Sequence, residues 1–151
     1  MAKKTKNILY YEAIGRRKEA VARVRLYIVG KDNVTSVAGI KIKKGEIVVN
    51  HKPIESIFSS LQEKTQYLSP FKLTQTEDRF AVSVLIKGGG KNGQLEALMH
   101  GISRAIEKTD KEAMRPLLKK AGLLTRDSRT RERRKVGTGG KSRRLKQSPK
   151  R

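Results

Sequence analysis

Residues 8–28 of the chain read ILYYEAIGRRKEAVARVRLYI, and this stretch predicts a β-hairpin. In its second half, from residue 21 to residue 28, one set of alternate positions is apolar, which is the pattern of a strand with one buried face. Arg23 and Arg25 belong to the other set, so we expect them on the face away from the core. The first half is rich in strand formers, and Gly15 allows a tight backbone before the connection.

Two short strands and a helix are predicted next. Ile40 and Ile42 alternate with lysines, and residues 47–49 are all β-branched, so we expect a strand on either side of a turn at Gly45. Pro53 suits the entrance of a helix. Apolar side chains then follow at the spacing of one helix face, at Ile54, Ile57, Phe58 and Leu61.

A further strand and two helices complete the predicted fold. Residues 80–86 alternate with period two, as a strand does. Thr109 with Glu112 is a candidate capping box for the last helix, which Gly122 would end and which Pro116 would kink or divide. Between the strand at 80–86 and this last helix, the sequence predicts an amphipathic helix that packs on the sheet. Its apolar face consists of Leu95, Leu98, Met99, Ile102 and Ile106. We therefore expect an α+β fold, a two-layer α/β sandwich with helices on one face and arginines on the other.

The charge divides the chain after Leu124. Residues 125–151 carry 12 Lys and Arg against two acidic residues, and their only aliphatic side chains larger than Ala are Val136 and Leu145. Such a stretch buries too little apolar surface to offset the entropy of ordering it, so we expect it to be disordered alone in solution. Residues 1–124 are expected to form one globular domain. The net charge of +22 indicates a polyanionic partner, with nucleic acid foremost.

Composition excludes several other classes. The chain has no Cys, which removes disulfide frameworks, thiolate catalysis and the common structural zinc sites. It has no run of 18 apolar residues for a bilayer span, and residues 8–11 are too short an apolar stretch for a secretory signal. We therefore expect no membrane contact, no cofactor, and a location in the cytosol or an organellar matrix.

A glycine motif keeps one enzymatic alternative open. Residues 88–93 fit GxGxxG after a predicted strand, and Asp110 follows at a distance typical of a dinucleotide fingerprint. That fingerprint requires its acidic residue at the end of a second parallel strand, whereas residues 109–121 are predicted to be helical. Glycines at a helix entrance also allow backbone N–H groups to approach an RNA phosphate.

The other catalytic patterns are incomplete in this sequence. Gly140-Lys141-Ser142 resembles the end of a P-loop, but Lys135 stands where its first glycine is needed. His51 and His100 have no partner at metal-ligand spacing. Carboxylates occur mostly singly among basic residues, so a general acid/base pair has no support. We therefore expect a binding protein and not an enzyme.

The basic residues of 125–151 suit an RNA backbone. The guanidinium of Arg donates two parallel hydrogen bonds to a phosphate, and contact with six phosphates would give a slope of log affinity against log salt of roughly −4 to −5. No aromatic residue lies in this segment, so it would read backbone and shape instead of stacking on bases. The alternatives are a solvated solubility tag and a general nucleic-acid chaperone or DNA-compacting protein.

Four separated motifs occur in order along nearly the whole chain. They are GRRKEAVARV at 15–24, GGGKNGQ at 88–94 with GISRA at 101–105, KAGLLTRD at 120–127 with ERRK at 132–135, and the terminal Lys150-Arg151. Together they resemble the family of the universal ninth protein of the small ribosomal subunit, of bacterial or organellar type. The resemblance implies a fold shared with the second domain of ribosomal protein number five.

The resemblance also implies a non-catalytic role in translation. It implies a place in the head of the small subunit, beside neighbouring head proteins and bound to the 3′ major domain of the rRNA, with a C-terminal segment threading through rRNA. It implies that Lys150 and Arg151 reach the anticodon stem-loop of P-site tRNA. With the charge pattern, it predicts rRNA contacts at Arg16, Arg17, Lys18, Arg23, Arg25, Lys91, Arg126, Arg129, Arg131, Arg133, Arg134, Lys135, Lys141, Arg143 and Arg144.

The chain departs from the family pattern in two places. Between Leu26 and Gly45 it is longer than the usual family form by roughly a dozen residues, more than a normal hairpin loop needs. Near its end, Ser148-Pro149 stands where the family commonly has an aromatic residue followed by Ser. A stacking role for that aromatic does not carry over, and Pro149 would stiffen the approach to the last two residues.

Overall fold

A computed structural model describes residues 3–5, 8–29, 34–37 and 39–133. Within these residues most of the strands come first along the chain, and the α-helices follow with one further strand among them. In order, the elements are β1 (Lys3–Thr5), β2 (Ile8–Arg17), β3 (Ala20–Ile28), β4 (Val34–Val37), β5 (Ile40–Lys43), β6 (Ile47–Val49), β7 (Lys52–Pro53), a 3₁₀ turn (Ile54–Ser56), α1 (Leu61–Thr74), β8 (Phe80–Lys87), α2 (Lys91–Glu107) and α3 (Lys111–Lys120). No helix in these ranges is long and apolar enough to span a bilayer.

A six-stranded sheet in the order β1-β2-β3-β8-β6-β7 forms one layer. The predicted hairpin is confirmed, since β2 and β3 pair antiparallel from Tyr10 opposite Tyr27 to Arg17 opposite Ala20. The predicted strand at 80–86 is also confirmed as β8, which pairs antiparallel with β3 and parallel with β6. Apolar side chains of the central strands meet the helices on one face, so the predicted α+β architecture is confirmed.

The outer face of the sheet is only partly as expected. Strands β5 and β6 both exist, but they do not pair around Gly45: β5 pairs with β4 in a separate hairpin, and β6 joins the main sheet. The β4–β5 hairpin lies in the long segment after Leu26 and covers one end of the outer face. There a second small core forms from Tyr10, Tyr27, Ile42, Val48 and Ala81.

The helix predicted from Ile54 begins later than expected. Residues 54–56 form only a 3₁₀ turn, and α1 starts at Leu61, whose side chain is 80% exposed. The cause is local, because the carboxylate of Glu63 accepts a hydrogen bond from the Ser60 N–H at 3.1 Å and caps the helix there. Ile54 and Phe58 are buried, but they anchor a loop to the core.

The predicted capping residue of α3 is wrong by one position. Asp110 is the N-cap, and its side chain accepts from the Ala113 N–H at 3.1 Å, whereas the Thr109 hydroxyl donates to the carbonyl of Ile106. Pro116 lies inside α3 and does not divide it. The predicted stop is confirmed, since Gly122 follows the helix with φ of 73°.

The amphipathic helix is confirmed as α2, and it packs unusually closely on the hairpin. A Cβ atom on Gly15 would lie 1.9 Å from the carbonyl oxygen of Ala97 and 2.3 Å from the backbone nitrogen of Gly101. A Cβ atom on Gly101 would lie 2.7 Å from a methyl group of Val24. The backbone of the helix therefore lies directly on the backbone of β2, with no side chain between them.

Substituting Gly15 by Ala should destabilise the protein by about 3 kcal/mol or more, because the new methyl group meets backbone that cannot move aside. Gly93→Ala, in the first turn of the same helix, is the matched control. Its Cβ would be 3.7 Å from the nearest atom, and Ala favours helix over Gly by up to about 1 kcal/mol. Urea unfolding of both variants measures the difference. Equal stabilities would contradict the close packing.

Candidate nucleic-acid interface

Side chains of α2 cover the open edge of β2. Among the described residues, β1 pairs only with residues 8–10 of that strand, which leaves the edge beyond them without a strand partner. Two residues of α2 and Lys108, which caps the end of that helix, bond to it instead. His100 Nδ1 accepts from the Arg16 N–H at 3.4 Å, and Arg104 and Lys108 donate to the carbonyl oxygens of Ile14 and Glu12 at 2.5 and 2.6 Å.

The regular spacing of these bonds follows from helix and strand geometry. Four residues of helix rise about 6 Å, and two residues of strand advance about 6.7 Å. Side chains four apart on a helix that runs antiparallel to the strand therefore meet every second strand residue. An edge covered in this way cannot pair with another chain.

Arg104 and Lys108 also line a groove. Together with Arg16 of β2 and Arg126, which follows α3, they border a cleft of about 480 Å³ at the edge of the sheet. We call Arg16, Arg104, Lys108 and Arg126 the cationic groove. Glu12 also lines it, but its carboxylate accepts from Arg25 at 2.8 Å. The groove is therefore strongly positive and suited to an anionic group such as a phosphate.

Two of the four groove residues, Arg16 and Arg126, are among those predicted from the sequence to contact rRNA. Arg104 and Lys108 are not among them. The missed signal is a pair of basic residues four apart at the side of an otherwise apolar helix face, which places both charges on one edge of that helix.

Arg17, another residue predicted to bind rRNA, faces the protein itself. Its guanidinium forms an ion pair with Glu96 of α2, lies 3.1 Å from the carboxylate of Asp127, and donates to the Arg129 carbonyl oxygen at 2.9 Å. Its side chain is only 11% exposed. We call residues 125–129 the tail root, and Arg17 connects that segment to α2.

Asp127 is the acidic centre of the tail root. Its carboxylate accepts from the side chain of Arg129 at 2.7 Å and also accepts from the backbone N–H of that residue at 2.9 Å. These hydrogen bonds, with the charges of Arg129 and Arg17, hold the pKa of Asp127 well below its usual range. The carboxylate is therefore ionised wherever the protein is folded near neutral pH.

Two more of the predicted rRNA-binding residues have partners within the fold. Arg25 is half-buried, bonds to Glu12 and lies over the ring of Tyr10 at 5.1 Å. Lys91 lies 2.7 Å from the carboxylate of Glu63. The residues predicted to contact rRNA that are exposed to solvent are Arg16, Lys18, Arg23, Lys91, Arg126, Arg129, Arg131 and Arg133. Outside the described residues lie Arg134, Lys135, Lys141, Arg143, Arg144, Lys150 and Arg151.

The glycine motif serves a turn between β8 and α2. Gly88 and Gly89 have φ of 74° and 67°, and a Cβ atom on Gly88 would lie 2.4 Å from the carbonyl oxygen of Glu19. Asp110 caps α3 and follows no strand. Within residues 80–120 the strand–helix–parallel strand unit of a dinucleotide site is therefore absent.

His100 lies between the groove and the residues that lead into the tail root. Burial lowers its pKa below the ordinary value, and the positive charges of Arg104 and Arg126 act in the same direction. The imidazole is therefore neutral at pH 7. His51, the other histidine, lies at the turn between β6 and β7 with φ of 66°.

Comparison with known proteins gives a consistent result. The family model described as ribosomal protein S9/S16 matches residues 15–151. The small ribosomal subunit protein uS9 of Dehalococcoides mccartyi strain BAV1 is 44% identical over 128 residues, covering 85% of this chain and 86% of that protein. The protein of the same name from Rickettsia canadensis strain McKiel is 43% identical over 127 residues, covering 84% of this chain and 70% of that protein.

Stability should depend on His100 below neutral pH. The unfolded chain binds a proton on this side chain near pH 6.5, and the folded protein resists that proton, so the free energy of unfolding should fall as the pH drops below 6.5. In His100→Asn, the decrease in the free energy of unfolding that comes from protonation of His100 should disappear. Urea unfolding of both proteins between pH 7.5 and 5 measures it. Parallel pH profiles would show that the imidazole has the same pKa in both states.

Proposed function

The chain belongs to the ribosomal protein S9/S16 family, and from that premise we propose that it is a structural, non-catalytic protein of the small ribosomal subunit that binds rRNA. The observation that carries the proposal is the cationic groove. Four basic side chains converge there, and the single carboxylate that lines it is paired with Arg25. A protein of net charge +22 needs a polyanion to neutralise it, and rRNA supplies one.

The groove would bind the RNA backbone and not the bases. Guanidinium forks from Arg16, Arg104 and Arg126 suit phosphate oxygens, and Lys108 adds a point charge. None of these side chains offers a flat apolar surface like an aromatic ring on which bases could stack. The folded part, residues 1–124, would therefore recognise the shape of a folded rRNA segment, in the 3′ major domain of the subunit head and beside the neighbouring head proteins.

The basic segment would extend this contact. The basic segment, residues 125–151, begins beside the groove at Arg126, and its arginines would neutralise successive phosphates as it threads through rRNA. Lys150 and Arg151 would then reach the anticodon stem-loop of tRNA in the P site. The protein would work in the ribosome, in the cytoplasm or in an organelle, by positioning and charge neutralisation.

Sedimentation through a sucrose gradient in high salt tests the proposal, with the protein detected in each fraction of a cell extract. The full chain should migrate with the small subunit. Deletion of Arg151 alone should leave that migration unchanged and weaken retention of P-site tRNA by roughly two- to fivefold, the size expected for one exposed charge contact. Deletion of residues 125–151 should weaken both. Migration of the full chain as free protein, or with DNA, would contradict the proposal.

Replacing Arg16 and Arg126 together by Gln should weaken binding to rRNA and reduce the slope of log affinity against log salt. Two lost phosphate contacts correspond to a change in slope of about 1.4 to 1.8. The control is the pair Lys44→Gln and Lys72→Gln, which removes the same charge from a different cleft, one that also contains Glu77 and Asp78. Nitrocellulose filter binding at several salt concentrations measures both slopes. Equal slopes in the two variants would show that the groove has no special role.

A further inference from the structure

The chain turns back onto α2 after its last helix. The Leu123 N–H donates to the Leu118 carbonyl at 3.1 Å, and the Gly122 N–H donates to the Lys119 carbonyl at 3.0 Å, the paired bonds that end a helix at a left-handed glycine. Leu123 and Leu124 then pack against the main core. The tail root, residues 125–129, follows and belongs to no helix or strand.

Arg17 is the residue of the hairpin that contacts this root. Three of its nitrogens have separate partners: Nε pairs with Glu96, Nη2 with Asp127, and Nη1 with the carbonyl oxygen of Arg129. The Arg17 side chain is nearly buried, and its guanidinium already has partners within the protein. A phosphate could bind Arg17 only by displacing two carboxylates from it.

We propose that Arg17 is a positioning residue, which anchors the tail root to α2 and thereby sets the direction in which the basic segment leaves the fold. The inference rests on the proposed function in rRNA binding. Arg126 lies between Thr125 and Asp127, both of which border a cleft shared with Arg17. Holding this segment in place keeps Arg126 at the cationic groove before any RNA is bound.

Strand geometry explains why adjacent arginines have different roles. Successive residues of a strand point to opposite faces. Arg17 lies opposite the buried Ala20 in the hairpin register and so points to the helix face, whereas Arg16 lies opposite the exposed Val21. The anchor acts through preorganisation, because a segment that is already ordered loses less conformational entropy when it binds.

The variant Asp127→Asn distinguishes an Arg17 that anchors the tail root from an Arg17 that binds phosphate, because the two roles predict opposite changes in affinity for rRNA. It removes a negative charge and frees Arg17 from one of its two carboxylates, so a phosphate-binding Arg17 predicts equal or tighter binding to rRNA. The anchor predicts binding weaker by roughly three- to tenfold. The probe is the 3′ major domain of small-subunit rRNA transcribed in vitro, titrated with the full chain. Equal or tighter binding would overturn the proposal.

Substitutions of Arg17 itself give a second criterion. Arg17→Gln should weaken binding with little change in the salt slope, whereas loss of a direct phosphate contact would reduce the slope by about 0.7 to 0.9. Arg17→Lys keeps the charge but not the planar fork, so it should bind nearly as weakly as the Gln variant. Full rescue by Lys would indicate a phosphate ligand and would overturn the anchor.

Limited trypsin digestion tests the anchor in the free protein, independently of RNA. In the wild type, cleavage after Arg126 should be slower than cleavage after Arg131. Arg17→Gln should accelerate cleavage after Arg126 by roughly tenfold, as expected when a local contact is lost, and should leave cleavage after Arg131 unchanged. Arg23→Gln, on the exposed face of the neighbouring strand, is the control. If Arg17→Gln does not accelerate cleavage after Arg126, the anchor is overturned even if rRNA binding is confirmed. If cleavage is accelerated but the wild type does not bind rRNA, only the proposed function is overturned.

Discussion

The backbones of α2 and β2 touch where Gly15 faces Gly101, and a methyl group on either residue would fill space that its neighbour occupies. This contact fixes the distance between helix and sheet. At that distance His100, Arg104 and Lys108 reach the backbone of the strand edge, and the apolar face of α2 fills the core above β3. A wider separation would leave the edge exposed and the groove without two of its four charges.

Arg104 and Lys108 contribute to both the fold and the proposed binding surface. Arg has five N–H donors and Lys has three, so one donor on each can bond to a strand carbonyl while the charge still faces the groove. A neutral side chain could cover the edge but would not attract a phosphate. The same two residues thus protect the sheet against pairing with another chain and supply charge where RNA is proposed to bind.

The sequence predicted the elements whose periodicity is long and whose partners are near in the chain. Strand β3 and helix α2 are predicted because each has an apolar face repeated over several alternations or turns, and β2 is predicted because it is rich in strand formers and precedes β3 closely. The predictions for the pairing of β5 and for the start of α1 are wrong. The pairing depends on β4, a four-residue strand in the long segment between β3 and β6, and the start of the helix on a single capping interaction that overrides the apolar spacing from Ile54.

The role of Arg17 could not be predicted from composition, because its partners lie 79 and 112 positions away along the chain. A run such as Gly15-Arg16-Arg17-Lys18 looks like one uniform basic patch. In the folded chain, the alternation of the strand points Arg16 and Arg17 to opposite faces of the sheet. The carboxylates of Glu96 and Asp127 then pair with Arg17. In a strongly basic domain, the few acidic residues therefore decide which cations remain available for phosphate. Net charge sets the class of partner, and the positions of the carboxylates determine where that partner can bind.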